Sequence, residues 1–257
     1  MSLVVAHRGA CLERVENTLE AFEHAHALGA DMIELDVQLS ADGQVMVFHD
    51  DLLTRLTDVE RRFPERSAEP LCRFRAAELA LLRQGVTGER AAGPRVPTLA
   101  AVLDWARGVG MALNIETKSL KRVYPGMVAK VTALVADRGM EEAVLISSFN
   151  HVDLLACRAA TPALRTGVLA YGRLVGFGRY AKEVLGAAAI NPSIEALGRD
   201  GIGAGIDATM LEEAQELGLQ SYVWTVNDAE GLVELGRLGV TGVITDDPAL
   251  GRSTYDA

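Results

Sequence analysis

Two carboxylates, Glu34 and Asp36, stand two residues apart inside the apolar run 32–37. In an extended strand that spacing puts both side chains on one face. Neighbouring like charges in an apolar setting need a cation or a shared proton. A third carboxylate, Glu116, ends the run 111–116, and Lys118 follows on the same side two residues later. Three carboxylates at strand ends make an oxygen-rich set that suits one hard divalent cation, Mg2+ or Ca2+, and is unlike a zinc site. His7 closes the run 3–7, and His49 closes 45–49 directly before Asp50. Two imidazoles beside such a cation can divide acid and base work near neutral pH. Arg8 and Lys118 bring positive charge to the acidic set, where they either pair with it or bind the nonbridging oxygens of a phosphate. Trp224, near the end of the run 221–226, serves equally as a flat apolar wall or as core. The remaining histidines read as structural: His24 and His26 are two apart in a helix and do not share a face, and His151 begins a helix after Asn150.

The elements that must position these groups follow from the apolar pattern. Nine short aliphatic or β-branched runs occur at 3–7, 32–37, 45–49, 111–116, 143–148, 166–170, 187–191, 221–226 and 240–245. Several lack polar alternation, as strands buried on both faces do. Between them the spacing predicts helices over 18–28, 98–108, 126–138, 151–159, 209–217 and 228–238. Asn17 and Glu20 have capping-box spacing at the start of the first helix, and Gly29, Gly218 and Gly239 suit positions just beyond helix ends. A parallel strand pair needs a crossover of about a dozen residues or more. The second run, continued over 32–39, and the third, 45–49, are joined through Ser40-Ala41-Asp42-Gly43, and Asp-Gly is a hairpin signal. The third run therefore folds back antiparallel on the second. Eight parallel strands remain, each but the last followed by a crossover, which is the count of an α/β (β/α)8 TIM barrel. A doubly wound open sheet is the competing architecture. Residues 50–97, with Arg61-Arg62 and the Gly-rich 85–95 tract, read as an insertion at the barrel rim within a single domain spanning 1–257.

With 257 residues, the chain is long enough to bury a full core without a staple. Apolar residues make up 49% and the formal net charge is −10, a balance that argues against nucleic acid and against indiscriminate binding to anionic membranes. Cys11, Cys72 and Cys157 are scattered and odd in number, as in a reducing compartment. No basic segment leads an apolar run, and no stretch reaches the roughly 20 apolar residues of a membrane helix. The expected location is the cytoplasm, without integral membrane contact. Gly201-Ile202-Gly203-Ala204-Gly205 neither follows a firm strand nor opens a clear helix, so it is a poor dinucleotide site. There is no GxSxG or Walker sequence.

The ordered set His7-Arg8-Gly9, Glu16-Asn17-Thr18-Leu19, Glu34-Leu35-Asp36-Val37, Asp42-Gly43 and Phe48-His49-Asp50-Asp51 continues with Ile115-Glu116-Thr117-Lys118 and Ser147-Ser148-Phe149. It closes with Trp224-Thr225-Val226-Asn227 and Gly242-Val243-Ile244-Thr245-Asp246-Asp247-Pro248. Taken together these motifs, which span nearly the whole chain, resemble the glycerophosphodiester phosphodiesterase family, particularly its cytoplasmic bacterial-type members. The resemblance implies a (β/α)8 barrel, with metal ligands at Glu34, Asp36 and Glu116 and an acid–base pair at His7 and His49. It further implies phosphate-binding cations at Arg8 and Lys118 and an aromatic wall at Trp224. The implied reaction is hydrolysis of glycerophosphodiesters to sn-glycerol 3-phosphate and an alcohol. The enzymatic alternative is a related barrel phosphodiesterase acting on lysophospholipids, and a silent barrel that only binds phosphorylated ligands is the alternative outside enzymology. Two departures stand out: Val15 replaces the usual proline before Glu16, and the segment after Asp51 reads Arg55-Leu56-Thr57-Asp58-Val59. The alcohol side is therefore the part that transfers least.

Overall fold

The computed structural model describes residues 1–85, 93–199 and 205–256. The element order is β1 (Leu3–His7), α1 (Leu19–Ala27), β2 (Met32–Leu39), β3 (Val45–Val47), α2 (Val59–Arg62), α3 (Ala76–Leu79) and α4 (Leu99–Val109). It continues with β4 (Ala112–Thr117), α5 (Met127–Ala136), β5 (Val144–Ser148), α6 (His151–Ala160), β6 (Arg165–Ala170), α7 (Phe177–Arg179) and β7 (Ala189–Pro192). The last elements are α8 (Thr209–Glu216), β8 (Gln220–Val223), α9 (Ala229–Arg237), β9 (Gly242–Thr245) and α10 (Pro248–Tyr255).

Eight of the strands are parallel and close on themselves, because β1 pairs with both β2 and β9. The ninth, β3, pairs antiparallel with β2, with Val37 opposite Val47. This is a (β/α)8 barrel carrying one extra hairpin strand, as the short link of residues 40–44 demands. Alternation along each strand sorts its side chains between two environments. On β2, Ile33, Leu35 and Val37 face outward into a core shared with α1, α4 and α5. Met32 faces inward, joining Val5, Leu145, Ala189, Tyr222 and Ile244 in an apolar plug that fills the barrel. Glu34 and Asp36 share its parity and stand above that plug, toward the C-terminal ends of the strands. A second outer core covers the β6–β9 half.

Four details differ from the pattern-based expectations. The chain does not stop at β9: α10 follows, with Pro248 in its first turn and Asp247 accepting a hydrogen bond from the Leu250 amide. A Pro-led, Gly-containing octamer carries little apolar periodicity, and it docks on β1 and α9 through Gly251 and Tyr255. Thr18, not Asn17, caps α1, accepting from the Ala21 amide. Asn17 sits in the left-handed region at φ +57°, with its side chain turned to the barrel mouth. Between β6 and β7, α7 runs on into π-type turns over Tyr180–Val184, a crossover without a clear 3.6-residue stripe. The insertion holds an apolar cluster of its own, in which Leu53, Val59, Leu71, Phe74, Leu79, Leu82 and Val96 close on Met46 and Phe48. Most of the Gly-rich 85–95 tract, and Gly201 to Ala204, lie outside the described residues.

Gly9 links β1 to the loop before α1 at φ +86°, and a Cβ there would lie 2.7 Å from the backbone carbonyl carbon of Ala21. Backbone cannot yield as a flexible side chain does. Gly9→Ala is expected to destabilise the fold by about 2–4 kcal/mol, combining overpacking with left-handed strain. Urea denaturation at unchanged m-value is the measurement, and a loss under about 0.5 kcal/mol would contradict the packing argument.

Candidate active site

β2 and β4 run parallel in a register that sets Asp36 beside Glu116 and Glu34 beside Asn114. Across the neighbouring pair, His7 on β1 stands beside Glu34. The three carboxylates each present an oxygen within 4.8 Å of the others. All are buried, Asp36 to 1% exposure and Glu34 to 4%. Burial of this kind demands compensation, and two cations supply part of it. Lys118 Nζ lies 2.8 Å from Glu116 Oε1 and 3.5 Å from Asp36 Oδ1. Arg8 Nε lies 3.3 Å from Asp36 Oδ2. Asn17 Nδ2 donates to the same oxygen at 2.8 Å, while the Asp36 amide donates to Asn17 Oδ1 at 3.2 Å.

These partners separate the three carboxyls electrostatically. Burial pushes Asp36 up, but Lys118 and Arg8, helped by His49 and Asn17, outweigh it and hold the carboxyl below the usual range. Burial pushes Glu34 well above the usual range, reinforced by the charges of Asp36 and Glu116. Glu116 is also raised by burial, with Lys118 opposing and Asp36 adding to the shift. Three acids against two cations leave one negative charge uncompensated, and Glu34 carries the strain. That excess, on an all-oxygen donor set, is what a hard divalent cation neutralises, so the residues fit such an ion.

The loop after β1 is shaped to serve this cluster. Arg8 adopts a left-handed conformation at φ +55°, which aims its amide at Glu34: the N–H donates to the backbone oxygen at 2.9 Å and lies 3.1 Å from Oε2. Non-glycine residues pay for that conformation, and it persists where surrounding contacts over-determine it. The turn carrying His49 is held differently. Gln38 is buried at the end of β2, its Nε2 within 3.1 Å of the carbonyls of Phe48, His49 and Asp50. Its Oε1 accepts from the Tyr124 hydroxyl at 2.8 Å.

Each candidate acid–base histidine is gripped by a carboxylate. His7 Nδ1 lies 2.6 Å from Asp246 Oδ1, and His49 Nδ1 lies 2.6 Å from Asp50 Oδ1. A carboxylate acceptor keeps the proton on Nδ1 and leaves Nε2 for chemistry; the Nε2 of His7 points to Glu34 at 3.9 Å. Asp246 is itself fixed by Asn227 Nδ2 at 2.6 Å and Cys11 Sγ at 3.1 Å. Burial raises its carboxyl, yet the hydrogen bond and charge of His7 bring it down to about 2. Asp50 pairs with Arg55 Nε at 2.5 Å, and Arg55 forks onto Glu16 at 2.8 and 3.0 Å.

His7, Arg8, Glu34, His49, Glu116, Lys118 and Trp224 line one pit of about 60 Å3. Asp36 completes the carboxylate set beneath it, so every site residue read from the sequence converges here. Beside His49 and Lys118 a groove of about 520 Å3 leads away between residues 50–55 and 118–121. The aromatic wall is broader than Trp224 alone: Phe149 stacks on Tyr171 at 4.2 Å, and Trp224 meets both edge-on at 5.7 and 5.4 Å. The indole Nε1 donates to the Asn191 carbonyl at 2.8 Å. Tyr171, Gln38 and Arg55 carried no signal as isolated residues. Asp246, Asn227, Asp50 and Phe149 lay inside recognisable motifs without a role, and their position shortly past strand ends was the available clue; Glu16 had no role there either, and Asn17 read only as a helix cap.

A closed parallel barrel with imidazole, carboxylate and cationic groups gathered at its mouth defines an enzyme for an anionic substrate. The model of the glycerophosphoryl diester phosphodiesterase family matches residues 7–250, and the chain belongs to that family. A glycerophosphodiester phosphodiesterase of Caldanaerobacter subterraneus subsp. tengcongensis is 35% identical over 248 residues, covering 96% of this chain and 95% of the relative. A crystal structure of a glycerophosphodiester phosphodiesterase from Agrobacterium tumefaciens matches with a TM-score of 0.77 at 30% identity, over 98% of this chain and 100% of that one. An Oleispira antarctica phosphodiesterase in complex with the product sn-glycerol-3-phosphate matches with a TM-score of 0.82 at 25% identity, over 100% and 98%. The protein is a glycerophosphodiester hydrolase of this family.

Asp246→Asn is expected to lower kcat on the order of 10²–10³-fold with little change in KM, because an amide at that position no longer fixes the His7 tautomer. A parallel fall in kcat under one-third would count against the role. The same carboxyl links folding to pH. Its folded value is depressed, so its stabilisation is complete above the unfolded value of about 3.9 and is lost as pH falls toward about 2. Thermal midpoints measured across that window should fall less steeply in the variant than in the parent chain.

Proposed function

We propose that the reaction yields sn-glycerol 3-phosphate and a free alcohol, with Glu34, Asp36 and Glu116 holding one divalent cation, Mg2+ or Ca2+. The observation that carries this reading is the buried carboxylate set flanked by two carboxylate-held imidazoles in a single pit. The product seen in the Oleispira antarctica relative supports the choice of phosphate-retaining fragment. When bound, the cation supplies Lewis-acid charge opposite the phosphate oxygens. Arg8 and Lys118 stand where they can stabilise negative charge on the same group. One of His7 and His49 accepts a proton at Nε2 from the attacking oxygen, and the other donates one to the departing alcohol. The Phe149–Tyr171–Trp224 corner walls one side of the substrate. Within a single-domain chain, the insertion over 50–97 forms the outer side of the alcohol groove through Asp50, Leu52 and Arg55. Cytoplasmic location belongs to the same proposal, and the three free thiols at Cys11, Cys72 and Cys157 fit a reducing compartment.

Turnover of glycerophosphocholine, read as glycerol 3-phosphate, tests the assignment. Chelation should abolish it, and Mg2+ or Ca2+ should restore it; full activity after exhaustive metal removal would sink the cation role. Glu34→Gln keeps the shape of the side chain, so the fold should survive while cation affinity, measured calorimetrically, falls at least about 10-fold.

His7→Ala and His49→Ala should each cost on the order of 10²–10⁴-fold in kcat with cation affinity nearly intact. The double variant should lose less than the product of the two, since both serve one proton-transfer cycle. A substrate with a low-pKa phenolic leaving group should rescue only the variant that lacks the general acid. Near-parental rates in both single variants would overturn the assignment.

A further inference from the structure

We infer that the barrel mouth docks on an anionic lipid bilayer. Two loops at the catalytic end flank the alcohol groove: residues 118–126 after β4 and residues 171–176 after β6. Leu120 of the first and Tyr171 of the second line that groove together, so the loops are neighbours in space. Both expose aliphatic tips. Val123 is 69% exposed and Val175 fully so, and Leu120 and Leu174 are exposed as well. Single exposed aliphatics are ordinary on a protein surface, but four on two loops at one end of the barrel form a pattern.

The charge of these loops is equally uneven. No Asp or Glu occurs from 117 to 136 or from 171 to 182, in a chain whose formal net charge is −10. The first loop carries Lys121 and Arg122, neither in an ion pair among the described residues. Arg173 on the second is paired with Asp207. Asp50 and Asp51 face the first loop across the groove, Asp50 engaged by His49 and Arg55, so the positive field is confined to the Lys121–Arg122 tip, where charges beyond the screening length of about 8 Å count little. Aliphatic prongs interleaved with cations are what an anionic interface selects: prongs enter the boundary of headgroups and acyl chains while the cations meet lipid phosphates. The prongs stand on separate loops with the cationic Lys121–Arg122 tip among them, leaving no continuous apolar face for a folded protein to cover. A fluid bilayer accommodates separate prongs. In this orientation the pit opens toward the lipid. The inference uses only the position of the pit, and its test does not require turnover.

Cosedimentation with vesicles is the experiment, comparing phosphatidylcholine alone with mixtures containing about one third phosphatidylglycerol. Binding is expected to the mixed vesicles, weak to the neutral ones, and falling with added salt. Arg122→Glu and the double variant Val123→Asp/Val175→Asp should each weaken binding about 10-fold or more. Neither touches the pit, so glycerophosphocholine turnover and the thermal midpoint should stay unchanged. Absence of binding to the mixed vesicles, equal binding to neutral ones, or undiminished binding by both variants overturns the proposal. Variants that alter the elution volume of the chain without altering vesicle binding would reassign the patch to contact between copies.

Discussion

An ionised carboxylate at Asp36, held inside the barrel with almost no exposure, is the constraint around which the mouth is arranged. Its charge is tolerable only because Lys118, Arg8 and Asn17 converge on its two oxygens. Those partners come from the loops after β4 and β1, so neutralising one side chain also fixes two loops. Arg8 passes the requirement on to Glu16, Glu16 to Arg55, and Arg55 to Asp50 and so to His49. One buried charge thereby sets the position of a histidine on a different hairpin. Breaking one member of a buried charge set commonly costs about 3–5 kcal/mol, because its partner is left uncompensated. The geometry of the pit is rigid for that reason.

The two imidazole arms look alike in sequence and are not alike in the structure. Asp246 is held by His7, an amide and a thiol, and no guanidinium or ammonium forms an ion pair with it among the described residues. Asp50 has a guanidinium on its other oxygen, which takes up much of its charge. The two carboxylate grips therefore differ in their surroundings, although the hydrogen-bond lengths are equal.

Much of this architecture was legible in the sequence because it rests on short-range rules. Period-two spacing placed Glu34 and Asp36 on one face, and the length of the Ser40–Gly43 link required a hairpin. The nine runs then resolved into eight parallel strands plus one. What escaped had non-local causes. Asn17 reads as a helix cap from its neighbours, but Asp36, nineteen residues away, claims its carboxamide and hands the cap to Thr18. Asp246 and His7 meet across 239 positions, and no local pattern announces such a pair. Helix α10 is held by contacts with β1 and α9 more than by its own periodicity. The apolar cluster of the insertion is spread over short turns, so neither period two nor period 3.6 reveals it.

That cluster closes on Met46 and Phe48 and is separate from both outer cores of the barrel. The barrel's cohesion and the insertion's cohesion are thus independent quantities, joined at β3 and by the Arg55 bridge. Turns of the insertion can be lengthened, shortened or recomposed while the strands that carry the carboxylates keep their register. Rewriting the turns beyond Arg55 would reshape the groove beside the pit and leave the ion-paired floor in place.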